Sequence, residues 1–385
     1  MREKDKITIL LKKERKLLGL TLKEVSEKMG FKHYQTLSNI ESGKREIKAW
    51  ELSKLANIYN RNIDFFLKPE EEKKEVKILW RNPDENVKKK KIERIFLNYC
   101  KKYSNLLKLL GESEQENREF ILHIAKNDLL NKKSFEYVTN LASQYLNLLQ
   151  LGSRPACSLV KILEEKINIK IIHLDLDQGI SGGSTIGDFG MAILVNANDV
   201  PWRRNFDIAH EFFHLITWDI FSPEEIYVED KHGKNKIEQL ANVFASAFLL
   251  PEDELRNEFR KIVKDNRISY LSLIGIAREF DVSIEALLWR LVNLNLIEKP
   301  AVKNELEKGN IKDIDRRSRY KYRIGEKPYL SERYISLAIK AFQMGKISKA
   351  KFAEYVEKKF SEIPSFLQKY GYNESEDYSV EYSIA

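Results

Sequence analysis

The sequence predicts a mainly α-helical protein that contains one small α+β domain. Along most of the chain, apolar residues recur at intervals of three and four, as they do between Ile92 and Leu151, and this spacing is typical of amphipathic helices. Only residues 167–197 combine β-branched alternation with a glycine-rich segment, which is the pattern of short strands. We therefore predict helical segments on either side of a small sheet.

The length of the chain sets its domain organisation. A chain of 385 residues with 43% hydrophobic residues can form about two to three domains, each with its own core. The predicted segments are a helical domain at 1–68, a charged linker and helical connector at 69–145, the α+β domain at 146–298, and a helical C-terminal region with an acidic tail at 299–385.

The net charge of +8 is concentrated near the N-terminus. Residues 1–68 hold sixteen Lys and Arg against nine Asp and Glu, so this segment is the basic part of the protein. The two cysteines, Cys100 and Cys157, exclude a disulfide framework and a cysteine-based zinc finger. No uncharged apolar stretch approaches the roughly 20 residues of a membrane-spanning helix. We therefore expect a cytoplasmic protein with no membrane partner.

Short helices are predicted at the N-terminus. Residues 7–18 carry a helical apolar stripe, and Thr21 followed by Glu24 has the spacing of a capping box at the start of a second helix. In a third helix, Leu37 and Ile40 face inward and the outward residues are polar. Two short helices joined at a glycine, the second with hydrogen-bonding side chains facing outward, indicate a helix-turn-helix arrangement.

Residues 6–67 resemble the repressor-like helix-turn-helix of the XRE family, a five-helix domain. The similar segments are LKKERKLLGLTLKEVSEKMG, LSNIESGKR and LSKLANIYNRNIDFFL. The resemblance implies that double-stranded DNA is a partner and that the third helix enters the major groove, where Gln and Asn can pair with adenine edges and Lys and Arg with phosphates. The alternative is a domain of the same core used only for protein contacts. The candidate DNA-binding residues are Lys32, Gln35, Thr36, Asn39, Lys44 and Arg45.

A candidate metal site lies in the segment FDIAHEFFHLIT, residues 206–217. On a helix, His210 and His214 are one turn apart on the same face, so both imidazoles can reach one tetrahedral Zn²⁺. Glu211 lies beside them and can take a proton from a metal-bound water. The alternative is a pair of core histidines without a metal.

A zinc site of this kind needs a third protein ligand. Glu238 belongs to the helical segment KIEQLANVFASAFLLP, and a carboxylate on such an apolar helix needs a partner because an unpaired buried charge is costly. We predict Glu238 as this ligand. Two imidazoles and one carboxylate can also hold Mn²⁺ or Fe²⁺. The competing third ligands are Asp219, Glu229, Asp230 and His232.

Residues 146–255 resemble the ImmA/IrrE family of metallopeptidases. The similar segments are RPACSLVKILEEKINIKII, AILVN, RRNFDIAHEFFHLI and EQLANVFASAFLLP. The resemblance implies a zincin-like peptidase domain with Zn²⁺ on His210, His214 and Glu238 and with Glu211 as the catalytic base. It also implies that an XRE domain can precede the peptidase. Two nearby residues, Tyr227 and His232, are candidates for stabilising the oxyanion, with a plain surface role as the alternative.

The C-terminal third is predicted to be helical. Residues 269–298 have the pattern of two helices, which we expect to pack against the peptidase core; a second DNA-binding unit is the alternative. The basic segment 316–323 is predicted to be a solvated loop, with a nucleic-acid or acidic-partner contact as its alternative.

These patterns lead to three hypotheses. The first is a zinc endopeptidase fused to a DNA-binding domain, which cleaves a regulatory protein; the resemblance suggests a repressor as the substrate. The second is a transcriptional regulator or antitoxin-like sensor whose peptidase fold binds metal, ligand or partner without turnover. The third is self-cleavage within residues 68–93. A homodimer is a possible assembly for any of them.

Overall fold

The structure is a computed structural model that describes residues 3–59, 61, 63–67, 76–80, 87–112, 120–177, 180–226, 228, 235–263, 267–319 and 330–372. Helices dominate this part of the chain, and one four-stranded sheet lies among them. Within the described ranges, no helix combines the length and the apolar character needed to cross a bilayer. The predicted fold class, mainly α with a small α+β domain, is confirmed.

The N-terminal domain has the five predicted helices. Thr21 begins the second one with a capping box in which its hydroxyl accepts from the Glu24 N–H and the Glu24 carboxylate accepts from the Thr21 N–H. Gly30 ends this helix with a φ of 78°, a conformation that other residues rarely adopt. Leu37 and Ile40 are fully buried, as predicted. The helices are α1 (Glu3–Leu17), α2 (Leu22–Met29), α3 (Tyr34–Glu41), α4 (Ala49–Ile58) and α5 (Asp64–Leu67).

The sheet consists of β1 (Leu79–Trp80), β2 (Lys170–Leu174), β3 (Gly182–Gly187) and β4 (Gly190–Asn196), in the order β1-β3-β4-β2. The β2–β4 pair is parallel, and the other two pairs are antiparallel. The first strand comes from the segment predicted as a linker and helical connector. Two residues are too few to produce an alternating pattern, so no local signal predicts this strand.

Helices cover one face of the sheet and build the main core. Residues Ile171, Ile193 and Val195 face this core, and the helix Pro201–Ile216 packs across β3 and β4. Residues 269–298 join the same core, as expected. The helices of this layer are α7 (Lys126–Leu130), α8 (Ser134–Leu149), α9 (Leu159–Lys166), α10 (Pro201–Ile216), α11 (Pro223–Ile226), α12 (Lys236–Leu249), α13 (Glu252–Ile262), α14 (Tyr270–Glu279), α15 (Ile284–Asn293), α16 (Lys299–Lys308) and α17 (Asn310–Ser318).

A second helical layer covers the opposite face of the sheet. It contains α6 (Val87–Leu109), α18 (Glu332–Gln343), α19 (Lys349–Tyr355) and α20 (Ile363–Lys369). Ile172, Ala192 and Leu194 alternate with the residues of the first face and pack against this layer. Both faces of β2 and β4 are therefore apolar and need cover. The connector and the C-terminal region, which were predicted as separate segments, form one layer of the fold.

One surface prediction is wrong within the described residues. Residues 316–318 end α17, and Arg319 is 2% exposed, so this part of segment 316–323 is not a solvated loop. The Arg319 guanidinium donates to Asp315 at 2.6 Å and lies over the Trp202 ring. Asp315 lies one helical turn away, but Trp202 and the Val282 carbonyl, which complete the burial of Arg319, come from distant segments. Local charge alone therefore suggested solvation. Residues 320–323 lie outside the described part of the chain.

Candidate metal centre

Two helices position the predicted metal ligands. His210, Glu211 and His214 lie on α10 and are all buried. Glu238 lies in the first turn of α12, where the Asn235 side chain accepts a hydrogen bond from the Glu238 N–H at 3.1 Å. These two helices pack against each other in the core, and this packing brings the carboxylate to the two imidazoles.

The three side chains form a compact triangle of ligand atoms. Glu238 Oε2 lies 3.2 Å from His210 Nε2, and Glu238 Oε1 lies 3.1 Å from His214 Nε2. The two Nε2 atoms are 3.1 Å apart. Tetrahedral zinc with bonds of about 2.0–2.1 Å places its ligand atoms roughly 3.3 Å apart. The residues therefore fit a zinc ion in both donor type and spacing.

Asn242 orients one of the imidazoles. Its Oδ1 lies 3.0 Å from His210 Nδ1. An amide oxygen can only accept, so this contact requires the proton on Nδ1 and leaves the Nε2 lone pair directed at the triangle. Asn242 lies one turn from Glu238 in the sequence, and no role was predicted for it. A polar residue one helical turn after a predicted ligand is the sequence signal for a side chain that orients a metal-binding imidazole.

The Glu238 carboxylate is held in its charged form. Burial would raise its pKa, but hydrogen bonds from His210 and His214 in their protonated, metal-free form outweigh burial and hold the pKa well below the ordinary value. A carboxylate that is ionised at neutral pH is ready to bind a cation.

Glu211 is fixed by a residue of the neighbouring strand. Ser184, on β3, is fully buried, and its hydroxyl donates to Glu211 Oε2 at 2.7 Å. This bond sets the direction of the carboxylate beside the ligand triangle. Ser184 was not predicted as a site residue, because a single serine in a glycine-rich strand carries no signal for such a contact.

The two phenylalanines between the histidines belong to the core. Phe212 and Phe213 are fully buried, and both rings lie within about 6 Å of the Phe244 ring of α12, at 6.0 and 5.5 Å. Tyr145 of α8 packs on the edge of the Phe212 ring at 5.2 Å. This aromatic cluster fixes α10 against α12, and so it holds the three ligands together.

The other candidates fall outside this triangle. Asp219 is exposed in the turn after α10. The remaining candidates lie outside the described residues: Tyr227, Glu229, Asp230 and His232.

A narrow cavity of about 170 Å³ adjoins the ligands. Its walls include side chains of the predicted centre and of α11, and β1 closes it. The lining residues are Leu79, Trp80, Glu211, His214, Ile226 and Glu238.

The candidate DNA-binding residues lie on and beside α3. Lys32, Gln35, Asn39 and Lys44 are exposed, and Thr36 is half-buried. Arg45 is also half-buried, and its guanidinium donates to both oxygens of the buried Glu51 at 2.8 and 3.1 Å. The ion pair with Glu51 therefore restrains the side chain that was predicted to contact phosphate. Tyr34 and Trp50 are exposed as well, at 50% and 55%.

Comparisons with known proteins identify both domains. Residues 11–66 match the family model described as helix-turn-helix. Residues 164–292 match a peptidase family described as the IrrE N-terminal-like domain. The protein thus combines an N-terminal helix-turn-helix domain of XRE type with an IrrE-like, metallopeptidase-like domain. This arrangement fits a DNA-binding regulator.

Among solved structures, a Mycobacterium tuberculosis transcriptional regulator is similar at 16% identity with a TM-score of 0.32. The match covers 50% of this chain and 51% of that one, so it spans about half the length of each. No curated protein matches the chain.

Proposed function

We propose that this protein is a zinc-dependent endopeptidase fused to a DNA-binding domain, and that it hydrolyses a peptide bond in a regulatory protein. A repressor is the expected substrate. The observation that carries the proposal is the triangle of His210, His214 and Glu238 ligand atoms, 3.1–3.2 Å apart, next to a buried Glu211 held by Ser184.

The residues of the site have separate roles. When bound by the triangle, Zn²⁺ supplies Lewis-acid activation of water and of the scissile carbonyl. Glu211 accepts the proton of the attacking water and delivers it to the leaving amine. Ser184 keeps the Glu211 carboxylate in position by donating to Oε2, and Asn242 keeps His210 in the tautomer that presents Nε2.

The N-terminal domain would bind double-stranded DNA through α3. Gln35, Thr36 and Asn39 are the proposed base contacts, because amide and hydroxyl groups can pair with base edges in the major groove. Lys32, Lys44 and Arg45 are the proposed phosphate contacts. Since Arg45 already pairs with Glu51, its remaining N–H groups would make that contact.

The second candidate is a regulator whose peptidase fold binds metal, ligand or partner without turnover. The lack of open space beside the ligands favours it, since the gap between Leu79, Glu211 and His214 has no room even for a water-sized molecule, whereas ordinary ligand pockets measure roughly 300–1,000 Å³.

Metal content and cleavage, measured on the same samples, separate the two candidates. Wild type, Glu211→Gln, Glu238→Ala and the exposed control Glu252→Ala are analysed by mass spectrometry and incubated with helix-turn-helix proteins encoded nearby in the genome. The peptidase predicts about one zinc in wild type, its loss in Glu238→Ala, and retained zinc without cleavage in Glu211→Gln. The control should behave as wild type. If Glu211→Gln, which lacks the proposed catalytic base, still regulates transcription as wild type does, the second candidate is favoured.

A further inference from the structure

The strand β1 lies where it can compete with a substrate. It pairs antiparallel with β3, and Leu79 lies opposite Ser184 while Trp80 lies opposite Gly183. Directly opposed residues of an antiparallel pair have their side chains on the same face. Leu79 is therefore on the face where the Ser184 hydroxyl reaches Glu211.

The Leu79 side chain covers the metal centre. It is 5% exposed, belongs to the main core and lines the cavity together with Glu211, His214 and Glu238. Trp80 is 4% exposed and packs into the opposite core. With both side chains in place, the cavity of about 170 Å³ has no room for a further extended peptide.

Two side-chain hydrogen bonds hold this segment on the sheet. Thr185 Oγ1 donates to the Lys77 carbonyl at 2.7 Å, and the Trp80 indole N–H donates to Glu93 of α6 at 2.8 Å. Gly183 permits the close approach, because a Cβ at this position would lie 2.6 Å from the Leu79 carbonyl oxygen. Removing the segment would leave an open edge of β3 directly beside Glu211.

We propose that residues 76–80, here named the strap, fill the substrate cleft of the metal centre. The substrate is then an extended segment of a partner polypeptide that replaces the strap on β3 and places an apolar side chain in the position of Leu79. An open strand edge binds extended peptides through backbone hydrogen bonds and reads alternate side chains. This inference deepens the proposed function, and the strap would keep the centre closed until a substrate displaces it.

The strap is a strong competitor because it belongs to the same chain. A tethered segment acts at an effective concentration on the order of millimolar. A free peptide with the same contacts should therefore bind wild type weakly. Weakening the strap without changing β3 should tighten peptide binding by about tenfold or more.

The experiment measures binding of a fluorescent peptide with the sequence of residues 74–82 by anisotropy. All chains are zinc-loaded and carry Glu211→Gln so that the probe is not cut. The test variants are Leu79→Gly, which empties the cavity wall, and Trp80→Phe, which keeps the packing and loses the bond to Glu93. Gly183→Ala adds a Cβ that displaces the strap and also obstructs any strand in its place. Leu330→Gly, in the opposite core, is the matched control.

Hydrogen exchange of residues 182–187 provides a second readout that does not depend on activity or metal. We expect faster exchange in Leu79→Gly and Gly183→Ala than in wild type, because the strap no longer protects β3. We expect the probe to bind Leu79→Gly at least tenfold more tightly than wild type. Trp80→Phe should bind the probe more tightly than wild type by a smaller factor. Gly183→Ala and the control Leu330→Gly should bind the probe no more tightly than wild type. A probe peptide that carries Asp in the position of Leu79 should bind the Leu79→Gly protein no more tightly than it binds wild type.

Three results would overturn the inference. In the first, Leu79→Gly exchanges faster but binds the probe no better than wild type. In the second, Gly183→Ala binds as tightly as Leu79→Gly, so the peptide binds elsewhere. In the third, neither variant alters exchange or binding, and the strap is a fixed part of the sheet. Tight binding of the probe by Leu79→Gly, combined with no hydrolysis when Glu211 is restored, would instead refute the proposed peptidase activity. The inference that the strap fills the cleft would then still hold.

Discussion

The Asn242 amide should set the zinc affinity of the centre. Its oxygen accepts from His210 Nδ1 at 3.0 Å. Once the amide is removed, a metal-free imidazole can shift its proton to Nε2 and donate to Glu238, whereas zinc on Nε2 requires the proton on Nδ1. His210 is fully buried, so its Nδ1–H is not already in contact with solvent. Removing the amide therefore leaves this N–H without its acceptor mainly in the metal-bound state, where the proton must stay on Nδ1.

The size of this effect follows from the surroundings of Asn242. Leaving a buried donor unsatisfied costs about 1–3 kcal/mol, and each 1.4 kcal/mol is about tenfold in affinity. Asn242 is half-buried, so water can partly replace its side chain in Asn242→Ala, and we expect a loss of about tenfold. Asn242→Leu fills the space and excludes water, so we expect a loss of about a hundredfold.

The assay is competition for zinc with a chromophoric chelator at fixed pH. Ser246→Ala, one turn further along α12 and 7% exposed, is the control and should keep the wild-type affinity. Circular dichroism checks that each variant is folded. Equal zinc affinity in wild type and Asn242→Leu would refute the role assigned to this hydrogen bond.

Further predictions concern stability and DNA binding. Burial lowers the pKa of His173 from its ordinary 6.5 to about 4, so between these pH values the unfolded chain takes up a proton that the folded chain excludes. The free energy of unfolding should therefore fall by up to about 3 kcal/mol as pH decreases through this range. His173→Phe should show a smaller fall when both proteins are unfolded with urea at several pH values. Glu41→Gln breaks the buried pair with Arg15 at 2.7 Å and should destabilise the N-terminal domain by about 3 kcal/mol in chemical unfolding; an unchanged midpoint would contradict this. Lys44→Ala should weaken binding to all DNA sequences and lower the number of ions released on binding by about one. Gln35→Ala should instead reduce discrimination between bases at one position by about 1–3 kcal/mol. Binding titrations at several salt concentrations separate the two effects.

The helical parts of this protein could be predicted because their signals are local. The capping box at Thr21 and the buried positions of α3 follow from spacing along a single helix. The same holds for His210 and His214, which share one face of α10 whatever surrounds it, with Glu211 beside them. Glu238 could be inferred because a carboxylate on an apolar helix needs a partner.

Contacts between distant segments were decided only by the tertiary structure. The Ser184 bond to Glu211 and the cover provided by Leu79 depend on strand register, and a two-residue strand has no period that could reveal it. The burial of Arg319 depends likewise on Trp202 and the Val282 carbonyl. The pairing of Arg45 with Glu51 depends on the packing of α4. The sequence by itself determined that His210 and His214 lie one helical turn apart, because this spacing is local to one helix. Packing determined what orients those groups and what covers them, because side chains from separate elements meet only when the core forms.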